Sequence, residues 1–327
     1  MQLPTLAKRV WLLLFFAIIV VSYLYGLGYL PLVGPDEPRY AQVAREMYQR
    51  ADLITPTLGG HTWFEKPALL YWFMMAAFRL CGSTETAVRL GPAVFGLLTV
   101  LAVFWVGRKV ARTSGVAELC GAGTWSALVT ASMLGMIVFS RAASFDMIVT
   151  MTITWALSFF FVHEVESDEA RRRWLLMGFY FFVGLSLLAK GLIGIVMPFG
   201  VIVIYQLMRR AYLSRWFLRS LLWGIPLAAA VAALWYGPVI ARHGWPFINE
   251  FVVQHHFARY FSNKYRHPGP VYFYLLVLIP LTLPWTVLVV DALSQIRSWK
   301  WRGTDPLDKL RVFSLAWLLL PLALFSF

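Results

Sequence analysis

Charge is what this sequence has least of. Asp, Glu, Lys and Arg make up only 14% of its 327 residues, against 60% hydrophobic and 17% aromatic. A water-facing domain carries about 25% charged residues. The polar side chain needed to coat a soluble globule of this length is missing. That excludes a cytosolic enzyme, a disordered chain and a soluble nucleic-acid binder, so nucleic acid is not an expected partner. Cysteine is nearly absent as well. Cys81 and Cys120 cannot build a disulfide framework and lack metal-site spacing; each reads as a free thiol, buried or facing lipid. There is no Gly-rich phosphate loop, Walker lysine motif, dinucleotide fingerprint or His-Glu-x-x-His pair. A nucleotide-dependent reaction inside the cell therefore has no support. Acids are fewer than bases, 16 against 29, for a formal charge of +13. In a membrane protein that sign of excess reflects Lys and Arg in cytoplasmic loops and contact with anionic lipid.

What the sequence does have is long apolar runs. A bilayer-crossing helix needs about 20 mostly apolar residues. Segments of that kind fall near Trp11–Val33, Thr86–Val106, Val116–Phe139, Met147–Val162, Trp174–Leu188, Leu192–Met208, Leu221–Ile240, Val271–Val290 and Val312–Phe327. The expectation is an all-α polytopic membrane protein of about nine spans. Lys8 and Arg9 precede the first span with no small-residue cleavage site, which reads as an anchor and not a removable signal. The last run is still apolar at Phe327. Either a short final helix stops at the far interface, or the chain is the front part of something longer. The second reading is preferred, because a chain ending inside hydrocarbon leaves its carbonyls poorly placed.

Orientation follows from the basic residues. With the N-terminus inside, 17 of the 29 Lys and Arg fall in short inner loops. Two outer loops are long, 34–83 and 242–270. Eight of the 16 acids lie outside: Asp36, Glu37, Glu46, Asp52, Glu65, Glu85, Asp146 and Glu250. Within the first outer loop, Glu37–Arg50 carries Tyr40, Val43, Ala44 and Met47 at helical spacing. Pro67–Leu80 is apolar but too short to span, as an interfacial helix would be.

Several outer residues carry chemistry. Asp36 and Glu37 follow a Gly34-Pro35 turn; they read equally as a well-charged helix start and as a carboxylate that handles an acceptor. Lys66 lies beside Glu65 and before Pro67. It is either half of a weak surface pair or a cation at a helix start, which is an anion site. Asp146 sits in a tight turn after Arg141; an acid there is paired or functional. Lys190 lies at an outer helix-to-helix turn. The second outer loop holds His255-His256, Arg259 and His267-Pro268-Gly269-Pro270. Adjacent histidines on a helix diverge, so the two rarely share a metal; a wet, cationic interfacial helix is the simpler reading of that stretch.

These motifs, in this order, resemble the GT-C membrane glycosyltransferases. Gly34-Pro35-Asp36-Glu37-Pro38-Arg39-Tyr40, then Trp63-Phe64-Glu65-Lys66-Pro67, then Ala87-Val88-Arg89-Leu90 carry the resemblance, with Asp146 and Gln254–Tyr260 continuing it. The similarity is to the lipid A aminoarabinose transferase and protein-O-mannosyltransferase-like branch. Ala68 departs from a second Pro common there. The resemblance implies a GT-C-like bundle with periplasmic interfacial helices, forming one transmembrane domain over 1–327. Further spans and a C-terminal periplasmic domain would follow.

The implied activity is transfer of a sugar from polyprenyl phosphate to an envelope acceptor, lipid A-like or a protein hydroxyl, with inversion. It would occur on the periplasmic face of a bacterial inner membrane, with the N-terminus cytoplasmic. The implied catalytic pair is Asp36 and Asp146. Lys66, Arg39, Lys190 and Arg259 are the implied donor-phosphate contacts. Glu65 and His256 match positions that hold an optional divalent metal ion. A transporter or flippase, or a non-catalytic binder of lipid-linked sugars, is the alternative; a transporter would place its charges at mid-membrane in paired, broken halves.

Overall fold

A computed structural model describes residues 5–115, 121–258 and 270–326. Among them the chain is nearly all helix, with a single two-stranded ribbon. Helix α1 (Thr5–Leu24) stops well before the predicted Val33. Gly26 takes a left-handed φ of 70° and breaks it. The carbonyls freed beyond the break do not stay bare: Arg89 donates to Leu27 at 2.8 Å, Leu30 at 2.7 Å and Pro31 at 2.8 Å. Unsatisfied backbone near hydrocarbon costs several kcal/mol, so the break depends on that arginine.

The first outer segment is ordered. Helix α2 (Asp36–Gln49) buries Tyr40, Val43, Ala44 and Met47, the face its spacing predicts. Strands β1 (Thr57–Leu58) and β2 (His61–Thr62) form a hairpin closed by Gly59 and Gly60, at φ 61° and 80°. Both central residues of that turn need positive φ, which glycine supplies without strain. Helix α3 (Leu69–Cys81) begins two residues after Pro67, slightly later than its sequence predicts. The loop between α2 and β1 is tied to the C-terminal end of helix α10 (Arg215–His243). The Arg242 guanidinium reaches both oxygens of Asp52 at 2.9 and 2.8 Å, and the Trp235 indole donates to the Ile54 carbonyl at 2.8 Å.

Among the described residues, five helices are long and apolar enough to cross a membrane: α4 (Glu85–Thr113), α7 (Phe145–Val165), α8 (Glu169–Lys190), α10 and the helix Pro306–Ser326. A bent pair, α5 (Ala122–Ser132) and α6 (Leu134–Ser140), makes six. Helix α9 (Ile193–Arg209) is apolar but has 17 residues. After α10 come a single turn, α11 (Trp245–Phe247), and a π-helical stretch over Ile248–Ala258. The predicted span Val271–Val290 is broken into α12 (Phe273–Leu281) and α13 (Thr286–Ser294); Pro306–Ser326 is α14. The two broken spans meet. Leu134 N–H, freed by the 62° bend, donates to Leu283 O at 2.8 Å, and the Trp285 indole donates to Ser132 Oγ at 2.8 Å.

Large apolar side chains line the outside of the bundle, including Leu13, Ile18, Leu207, Leu222, Leu234 and Val287. Such a surface needs lipid to cover it. Inside, one aromatic cluster around Trp235, Tyr71, Phe64 and Phe247 lies at the outer-loop end. A second, around Phe160, Phe179, Tyr205 and Phe313, lies toward the other end.

Candidate active site

The site is built where α2, the Glu65-Lys66 turn, and the turns before α7 and after α8 come together. Glu37 supplies the joint. Its Oε1 accepts from the Ala143 N–H at 2.7 Å and Arg89 Nε at 3.0 Å; its Oε2 accepts from the Val33 N–H at 2.7 Å and Arg89 Nη2 at 2.6 Å. Burial works against the charge on Glu37, but the arginine and the two backbone N–H groups outweigh it and hold the carboxyl below its usual range. Sequence reading placed Glu37 among the outer acids and Arg89 in a motif without recognising the pair. The available signal was one arginine in an otherwise apolar stretch of a span, which demands a partner.

Around this joint the outer charges form two ion-paired groups. Arg39 lies 3.4 Å from Asp36 and 3.7 Å from Glu65, and Lys66 lies 3.1 Å from Glu65. Lys190 lies 3.0 Å from Asp146. Asp146 thus pairs with Lys190 and not with Arg141, which donates instead to the Ser22 and Tyr25 carbonyls. The Ser144 hydroxyl caps α7 by accepting from Asp146 N–H, which fixes Asp146 in the first turn. Gly191, at φ 70°, ends α8 and leaves Lys190 at its last position.

Tyr40 marks the centre. Burial raises its hydroxyl first, and the charges of Asp36, Glu65 and Asp146 add to that. All three carboxylates therefore act on one phenol, which stays protonated. Its ring packs edge-on against Phe145 at 4.9 Å, and Tyr71 packs on the same ring at 5.4 Å. The Arg39 guanidinium sits over Trp63, 5.9 Å from the ring centroid. Two buried polar atoms beside these groups, Tyr71 Oη and Trp63 Nε1, have no hydrogen-bond partner among the described residues. The acids have different surroundings. The Asp36 and Asp146 side chains are 57% and 48% exposed, whereas Glu65 and Lys66 are 20% and 14% exposed.

Of the residues predicted from sequence, Asp36, Arg39, Glu65, Lys66, Asp146 and Lys190 thus gather at one mouth of the bundle. The π-helical stretch approaches through Glu250, whose carboxylate accepts from Phe64 N–H at 3.4 Å. The His256 side chain and Arg259 lie outside the described residues. Glu65 already faces Arg39 and Lys66, and among the described residues no three His, Cys, Asp or Glu side chains converge as a metal set.

Known proteins share this architecture. The crystal structure of ArnT from Cupriavidus metallidurans bound to undecaprenyl phosphate superposes with a TM-score of 0.81 at 27% identity, over 97% of this chain and 55% of that one. An arabinosyl transferase acting on undecaprenyl phosphate-α-4-amino-4-deoxy-L-arabinose from Aeromonas hydrophila is 31% identical over 304 residues, covering 93% of this chain and 53% of the relative. The enzyme of the same name from Pseudomonas aeruginosa is 32% identical over 328 residues, covering 98% and 55%. The chain therefore spans about half the length of the relatives it matches. Fold and relatives together place this chain among the polytopic membrane proteins of the GT-C glycosyltransferase class. Within that class, residues 9–261 match the family described as dolichyl-phosphate-mannose-protein mannosyltransferase, and the chain belongs to it.

Proposed function

We propose that this protein transfers a sugar from a polyprenyl-phosphate donor to an envelope acceptor, a lipid A-like glycolipid or a protein hydroxyl. The observation that supports this best is the site itself. Three carboxylates and three cations share one mouth of a lipid-exposed bundle, outside the apolar zone. A lipid-borne phosphate and a polar acceptor can meet there without either crossing the membrane. The relatives' names make a 4-amino-4-deoxy-L-arabinosyl donor the first to test.

In this reading Lys66, largely shielded, holds the donor phosphate as a point charge, with Arg39 and Lys190 nearby. Arg259, in the second outer loop, is a further phosphate contact in this reading, and His256 in the same loop pairs with Glu65 as an optional metal position. Asp36 orients the acceptor and takes its proton; Asp146, held by Lys190, is its partner. The acceptor oxygen forms a bond to the anomeric carbon as the bond from that carbon to the phosphate oxygen breaks. The leaving polyprenyl phosphate carries the electron pair, and the anomeric configuration inverts. Stabilising that departing charge is the main electrostatic task. The N-terminus lies in the cytoplasm and the site faces the periplasm of a bacterial inner membrane, because the basic inner loops sit at the opposite end. In this reading residues 1–327 form one transmembrane domain that carries this chemistry. Lys66→Ala in nanodiscs is expected to weaken undecaprenyl phosphate binding about tenfold or more, the scale of a hydrogen bond to a charged group. Unchanged affinity would make Lys66 a plain anchor and contradict the reading.

A further inference from the structure

We propose that Glu37 and Arg89 are positioning residues that set the placement of Asp36 relative to Asp146; the proposal rests on the functional reading above. Three chain segments converge on this one pair. The Gly26–Val33 connection is held through the Leu27, Leu30 and Pro31 carbonyls and the Val33 N–H. The start of α2 is held because Glu37 belongs to it. The turn before α7 is held through Ala143 N–H. All five N–H donors of Arg89 are used: Nε on Glu37, Nη1 on Leu27 and Leu30, Nη2 on Pro31 and Glu37. A fork so committed admits one arrangement of the segments it joins.

The pair is too buried to touch substrate. The Arg89 and Glu37 side chains are 6% and 9% exposed. The two proposed catalytic acids are not buried: the Asp36 and Asp146 side chains are 57% and 48% exposed. Asp36 is the residue before Glu37, and consecutive residues on a helix point about 100° apart, so an inward Glu37 turns Asp36 outward. Ala143 is the residue before the Ser144 cap, which in turn receives the Asp146 N–H. One carboxylate thus fixes both the residue beside one proposed catalytic acid and the turn that carries the other. Charge-assisted bonds of 2.6 to 3.0 Å make that coupling stiff.

The test uses the full protein in nanodiscs. Glu37→Gln keeps size and one acceptor oxygen; Arg89→Lys keeps charge and loses the fork. In each, kcat is expected to fall at least tenfold, with donor KM and undecaprenyl phosphate affinity within twofold of wild type. A separate readout needs no turnover. In a Cys81→Ser, Cys120→Ser background, Asp146→Cys is labelled with a membrane-impermeant maleimide, and adding Glu37→Gln is expected to change the labelling rate at least threefold. If wild type binds undecaprenyl phosphate yet transfers nothing, the functional reading falls, and the labelling comparison still decides this proposal. Folded variants with unchanged kcat and unchanged labelling overturn it. So does donor affinity lost in parallel with kcat, or failure of both variants to fold, since either makes the pair a general structural element.

Discussion

At the residue scale the outer loop is held by acids whose charge the fold favours. Glu46 accepts from the Thr57 hydroxyl, from the Gln42 amide at 2.9 Å, and from the Gly59 and Gly60 N–H groups at 2.8 and 3.2 Å. Partial burial opposes the charge, but these bonds overcome it and bring the carboxyl down from 4.5 to about 2. A depressed carboxyl stabilises the fold above its unfolded value and loses that contribution as pH falls through its folded value. The Glu46 clamp on the hairpin is therefore intact at neutral pH and fails between about 4.5 and about 2. Protection of the Gly59 and Gly60 amides, their exchange relative to the intrinsic rate at each pH, is expected to fall across that window in wild type. In Glu46→Ala it is expected to be low already at pH 7; strong protection in that variant would refute the clamp. Asp36 and Asp146 were legible in sequence as outer acids at turns between apolar runs, and their proposed catalytic role came from the family resemblance. Arg89 was not, because its partners lie 52 to 62 positions away and no local pattern encodes them.

At the element scale, the buried face of α2 was legible and the breaks in the spans were not. The spacing of Tyr40, Val43, Ala44 and Met47 predicted the buried face of α2. Val116–Phe139 and Val271–Val290 read as continuous spans, because apolar content alone cannot show where backbone bonds are interrupted. The structure breaks both, and each break supplies partners for the other: Leu134 N–H to Leu283 O, Trp285 to Ser132. Such breaks survive at membrane depth where protein satisfies the freed groups. Close approach of small residues does similar work between α4 and α5. A Cβ on Gly123 would lie 2.7 Å from the Phe104 carbonyl, and one on Gly107 would lie 3.0 Å from the Gly123 Cα. Small residues let membrane helices touch backbone to backbone. Gly123→Val is expected to lower stability by about 1–3 kcal/mol, as overpacking does, read as a lower thermal midpoint in detergent. Gly237→Val, with open space around its added Cβ, is the control and is expected to stay close to wild type. Equal midpoints for both variants would refute the close contact.

At the scale of the whole molecule, the excess of positive charge divides between two ends. One end carries Lys109 paired to Glu166 at 2.8 Å, Arg209 on the Gly303 carbonyl and Lys309 on the Glu164 carbonyl. The other gathers Asp36, Arg39, Glu65, Lys66, Asp146 and Lys190. Low charge content and long apolar runs made the membrane class legible. The segregation of charge supports the proposed sidedness, which rests, like the membrane class, on composition and order along the chain. The assembly of the mouth from four separate segments was visible only in three dimensions. This mouth is proposed to move sugar from a lipid phosphate under the control of Asp36. The most direct test of that proposal is single-turnover transfer in nanodiscs from a polyprenyl-phosphate donor labelled in the sugar, for wild type and Asp36→Asn. Wild type is expected to release one polyprenyl phosphate per sugar transferred. Asp36→Asn is expected to bind donor with wild-type affinity and lose transfer at least a hundredfold, the lower bound for a general base. A wild type that moves no sugar, or an Asp36→Asn that keeps its rate, would contradict it.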